Sequence, residues 1–110
     1  MDITKITPDY SVSNRIHSED LHAVKLLGFK TVIYFNSENK DSSQLTSSDI
    51  AEAANRQGLI SAYIPVNCKK ITSKDISVFH RFFAKSPKPI LAVNESNICS
   101  VMLWNMAHNP

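Results

Sequence analysis

The sequence predicts an α/β fold: a four-stranded, mainly parallel sheet flanked by helices. Three observations predict it. Strand-like and helix-like stretches alternate along all 110 residues, the pattern of βα units. The run Ile90-Leu91-Ala92-Val93 has no polar alternation, as a strand buried on both faces requires. Helical stretches open on Ser18, Thr46 and Thr72, residue types that cap helix N-termini, and two of them close on Gly28 and Gly58, the only glycines in the chain.

Taken in order, residues 2–9 read as an irregular lead-in, and Tyr10-Ser-Val-Ser13 alternates as a short strand at a sheet edge. Ser18 precedes Glu19 and Asp20, acids suited to the positive end of a helix, and Leu21, Val24 and Leu27 recur at helical spacing up to Gly28. Phe29 to Phe35 is β-branched and aromatic, a second strand. After the polar segment 36–43, Thr46-Ser-Ser-Asp49 has the form of a capping box ahead of Ile50, Ala53 and Ala54. Leu59 to Val66 is the third strand, with Pro65 near its end. Thr72-Ser-Lys-Asp75 repeats the capping pattern, and Ile76, Phe79 and Phe83 mark the buried stripe of a helix that must stop near Ser86-Pro87. The fourth strand, Ile90–Val93, leads through Asn94 to Asn97 into a helix starting between Asn97 and Cys99. Its residues Ile98, Val101, Met102, Leu103, Trp104 and Met106 are apolar around most of the circumference, so it should be surrounded by protein.

Length and composition, 43% hydrophobic and 20% charged, fit one domain over residues 1–110 with a modest core. A net charge of +2, with no basic run interleaved with aromatics, points away from nucleic acid and from an anionic membrane as partner. The N-terminus has no apolar leader core and no stretch is long enough to span a bilayer, so the cytoplasm is the default location. There Cys68 and Cys99 would stay reduced. The histidines, at 17, 22, 80 and 108, show no ligand spacing, so no metal and no cofactor is expected. Trp104 fits a core position better than a stacking platform.

In an open α/β sheet, ligands bind at the carboxyl ends of central strands, where backbone N–H groups and helix N-termini converge. That places the candidate site at Asn94-Glu95-Ser96-Asn97-Ile98-Cys99. Its chemistry disagrees with its position, for it holds no arginine, histidine or glycine. Arg15, Lys40, Lys69 and Lys70 follow strands and would bring positive charge to the same end of the sheet.

Thr7-Pro-Asp-Tyr-Ser-Val-Ser13, Gly28-Phe-Lys-Thr-Val-Ile33, Ile64-Pro-Val66 and Ser86-Pro-Lys-Pro-Ile-Leu-Ala92, in that order, resemble the phosphatase-like domain of bacterial beta-lactamase hydrolase-like proteins over essentially the whole chain. The resemblance implies a cysteine-phosphatase, dual-specificity-like fold with strand order 1-4-2-3 and a catalytic loop after the fourth strand. Active members carry His- or Tyr-Cys, five residues and Arg there. On this chain the nucleophile position falls on Asn94 and the loop glycine on Asn97; the phosphate-binding arginine is assigned to Cys99, although five residues counted on from Asn94 end at Cys99 and put the arginine at Ser100.

A carboxamide cannot replace a thiolate as nucleophile, and a cysteine is too short and too weakly polar to replace the bidentate guanidinium that stabilises transition-state charge. Asn97 tolerates the left-handed conformation that glycine adopts, so the loop's shape can outlast its chemistry. No general acid is evident: Asp75 is used as a cap, and nothing supports Glu38 or Asp41. Two functions follow as expectations. The first is a phosphatase-like domain without activity, binding an anion, a phosphorylated ligand or a protein, with Ser96, Asn97, Ile98, Cys99, Arg15, Lys69 and Lys70 as anion-binding candidates. The second is an enzyme with relocated thiol chemistry on Cys68, beside two lysines, or on Cys99, at a helix N-terminus that lowers a thiol pKa.

Overall fold

The computed structural model describes residues 3–14, 16–17, 19–35, 47–64, 66, 69–94 and 97–108, and only the backbone at 47–48 and 97–98. The elements in chain order are β1 (Ile3–Thr7), β2 (Tyr10–Ser13), α1 (Asp20–Leu26), β3 (Thr31–Tyr34), α2 (Ser47–Arg56), β4 (Ile60–Tyr63), α3 (Ser73–Lys85), β5 (Ile90–Val93) and α4 (Asn97–His108). The sheet has five strands in the order β1-β2-β5-β3-β4 and is mixed, which corrects the expected four-stranded sheet.

The difference lies at the N-terminus. Residues 3–7 are an edge strand rather than a lead-in, pairing antiparallel with β2 through a tight turn in which Thr7 opposes Tyr10 and the Asp9 N–H donates to Thr7 Oγ1 at 3.1 Å. The pairing slips between Lys5 and Thr7, so polar and apolar residues of β1 do not alternate and the strand leaves no period-two signal. With β1 outside it, Tyr10–Ser13 is an interior strand, buried along its length. β2, β5, β3 and β4 run parallel, and β5 sits between β2 and β3.

The central strands split their residues between two cores. Ile33, Phe35, Ile90 and Ala92 face α3 and α4 and pack with Phe79, Phe83 and Leu103, whereas Val32, Tyr34, Leu91 and Val93 face α1 and α2 and pack with Leu21, Val24 and Ile50. Such two-sided burial is why β5 reads as an unbroken apolar run.

Helix ends follow the local chemistry. α3 has a complete capping box, with the Asp75 N–H donating to Thr72 Oγ1 at 3.2 Å and the Thr72 N–H to Asp75 Oδ2 at 3.0 Å. It ends at Lys85, where the Ser86 N–H and hydroxyl both donate to the Phe82 carbonyl. α1 departs from expectation: Glu19 occupies the cap position without a side-chain hydrogen bond, Asp20 instead accepts from the His17 N–H at 2.8 Å, and Ser18 lies outside the described residues. Gly28 and Gly58 end α1 and α2 with φ of 97° and 73°, backbone that other residues rarely adopt. Thr46 and Pro65 also lie outside the described residues. α4 is covered less fully than its sequence implies: Leu103 is buried, while Met102 and Met106 are 36% and 39% exposed.

Candidate functional site

Because β2, β5 and β3 are parallel and in register, their carboxyl ends lie side by side: Val93 pairs with Ser13 on one side and Tyr34 on the other. The exit of β5 is held from both neighbours. The Asn94 N–H donates to the Ser13 carbonyl at 3.1 Å, and the Phe35 N–H donates to the Val93 carbonyl at 2.9 Å. Asn94 therefore stands at the end of an interior strand, and it is buried at 5% exposure. α4 begins three residues later at Asn97, with no acid in its first turn, so that its positive end faces the segment leaving β5.

The first turn of α4 is fixed to the sheet from below. Tyr10, fully buried on β2, donates its hydroxyl to the Ser100 carbonyl at 3.0 Å and stacks on Trp104 with ring centroids 4.7 Å apart. Burial pushes the Tyr10 phenol far above its ordinary range, so it remains a neutral donor. Neither Ser13 nor Ser100 exposes any surface, and among the described residues their hydroxyls have no hydrogen-bond partner. One lies at the end of β2 beside Val93, the other in the first turn of α4. Ser13 shares the sheet face of its pairing partner Val93, toward α1 and α2, whereas Ser100 belongs to α4 on the other face; each hydroxyl is unusual, since buried polar groups are ordinarily satisfied. A short serine at a strand end gives no pattern by which sequence would select it.

Cys99 is 1% exposed and disulfide-bonded. In this state the Cys99 side chain carries no thiolate, and what the position offers an anion is its backbone N–H in the first turn of α4. The sequence holds one other cysteine, Cys68. Lys69 and Lys70 are exposed on the approach to α3. Arg15, Glu38, Lys40, Asp41, Cys68, Glu95 and Ser96 lie outside the described residues, and of Asn97 and Ile98 only the backbone is described. The site residues brought together are thus Asn94 and the start of α4, with Cys99 and Ser100 in its first turn; Ser13 adjoins Asn94 through its backbone carbonyl. No described helix is long and apolar enough to cross a membrane.

The sequence model of the phosphatase-like domain of beta-lactamase hydrolase-like proteins matches residues 2–109. The chain belongs to this family. Its fold is shared with a candidate phosphatase from Neisseria meningitidis at a TM-score of 0.86 and 21% identity, covering 94% of this chain and 74% of that one. It is also similar to a candidate phosphatase from Shewanella putrefaciens, at a TM-score of 0.80 and 18% identity, covering 98% of this chain and 71% of the other. A second crystal structure with the same description gives a TM-score of 0.77 and 19% identity over 98% and 74% of the two chains. No curated protein is matched by the sequence. For this phosphatase-like domain the likeness to solved structures establishes architecture, and the residues at the end of β5 must carry the argument about chemistry.

Proposed function

We propose that this family member is a binding module for an anion, a phosphorylated ligand or a protein, without phosphatase activity. The observation that carries the reading is Asn94, buried at the exit of the central strand where the resemblance puts the nucleophile. A neutral carboxamide forms no covalent phosphoryl intermediate, and neither Cys99 nor Ser100, where five residues counted on from Asn94 put the arginine, offers a cation to the transferring group. What persists is the positive end of α4, with the buried Ser100 hydroxyl in its first turn, which suits weak recognition rather than turnover.

Hydrolysis of an aryl phosphate by the purified chain tests this. The expected rate is background, unchanged by Asn94→Ala; a rate that drops on that substitution overturns the proposal. Relocated thiol chemistry predicts the opposite dependence on redox state, since Cys99 must first be reduced: turnover that appears with dithiothreitol and is lost in Cys99→Ser would establish it.

A further inference from the structure

The uncovered side of α4 borders an open groove between α3 and α4 with a volume of about 580 Å³. Its apolar lining comes from Ile76 and Ala84 of α3 and Met106 and Ala107 of α4, and its charged lining from Arg81 and Lys85. Arg81 and Lys85 are four residues apart on α3, so they project one turn apart on one face and form a short cationic rail. Among the described residues neither has an ion-pair partner and no carboxylate lines the groove. The acid of α3, Asp75, is held by the Thr72 N–H in the capping box. Charge is distributed accordingly: residues 71–110 carry four Lys and Arg against two acids, which is the whole of the chain's net charge of +2.

An apolar floor beside a cationic rail specifies its occupant more narrowly than an apolar groove would. We propose that this groove docks an acidic amphipathic helix from a partner protein, with carboxylates four residues apart meeting Arg81 and Lys85 and apolar side chains on its inner edge meeting Ile76, Ala84 and Met106. Two parallel rows are available on α3, Ile76–His80–Ala84 and Ser77–Arg81–Lys85, and a helix laid along them packs ridges into grooves. Met106 is flexible and polarisable and adapts to the side chain set against it. The same occupant explains why Met106 of α4 is left partly bare. The inference goes beyond the reading of the loop after β5 and does not depend on it.

The probe is a fluorescein-labelled synthetic helix of about four turns, with glutamates at i and i+4 flanking a leucine stripe; its twin carries lysine in place of glutamate. Anisotropy at low salt is expected to show binding of the glutamate peptide on the order of 10–100 µM, weakening as salt rises, with amide and methyl shifts confined to α3 and α4. The double variant Arg81→Glu, Lys85→Glu is expected to lose at least tenfold in affinity for it and to bind the lysine twin instead, whereas Lys25→Glu on α1 leaves binding unchanged. Equal binding of the two peptides by the native chain, shifts away from α3 and α4, or self-association of the chain that buries Met106 would overturn the proposal, the last assigning the groove to a second copy.

Discussion

The Tyr10 hydroxyl donates to the Ser100 carbonyl at 3.0 Å across ninety residues of sequence, joining the second strand to the first turn of the last helix beneath the candidate site. Tyr10→Phe keeps the ring stack on Trp104 and removes this bond. The expected cost is about 0.5–1.5 kcal/mol in urea denaturation. A pH series isolates the buried phenol. Its folded pKa is raised by burial, so its contribution is fully present below the unfolded value of about 10 and is lost as pH rises beyond it. The stability difference between the native chain and Tyr10→Phe should therefore shrink above about pH 10; a constant difference would show that the phenol is not desolvated.

The capping box of α3 supplies a second test. Thr72→Ala removes the acceptor of the Asp75 N–H and should cost about 1 kcal/mol, with Thr72→Ser nearly neutral because the hydroxyl is retained. A cost shared equally by alanine and serine would mean that the methyl group, not the cap, matters.

Residues differ in how plainly they announced these features. Thr72-Ser-Lys-Asp75 and Ile90–Val93 were legible because a local hydrogen-bond pattern and two-sided burial each leave a signature in sequence. β1 was not, because its slipped register breaks the alternation that identifies a strand and its burial is partial. The site was legible by position, since the exit of an interior parallel strand can be inferred from topology, and Asn94 is found there. Its hydroxyls were not, since burial of Ser13 and Ser100 depends on how β2 and α4 each pack against their neighbours and not on any spacing along the chain.

Cys99 yields a third prediction. Cys68 is the only other cysteine in the sequence, so a disulfide within one chain leaves no thiol to titrate under denaturing, non-reducing conditions and two after reduction. Peptide mapping is expected to recover Cys68 and Cys99 linked. Reduction should cost about 2–4 kcal/mol through the added freedom of the unfolded chain. Disulfides persist in oxidising compartments, which opposes the expectation that these cysteines stay reduced. Alkylation in cells before lysis decides it: a fully alkylated chain would show that the bond is absent where the protein works.

The two buried serines set stability against binding. A buried hydroxyl without a partner carries its desolvation cost with no compensating bond, so Ser13→Ala and Ser100→Ala should leave stability unchanged or raise it by up to about 1–3 kcal/mol. If the hydroxyls serve a ligand at the exit of β5, the same substitutions should weaken its binding, the pattern of a functional site that holds its polar groups at a cost to the fold. Titrating phosphate while following the amides of residues 94–100 reads the second half of this argument. Binding in the millimolar range, about 4 kcal/mol, is expected for the native chain and a further loss for each alanine variant. Glu95→Gln, which removes the one carboxylate of the segment 94–99, should strengthen it. Alanine variants that lose stability instead would mean that each hydroxyl holds ordered water on its own side of the sheet, and their role would then be structural.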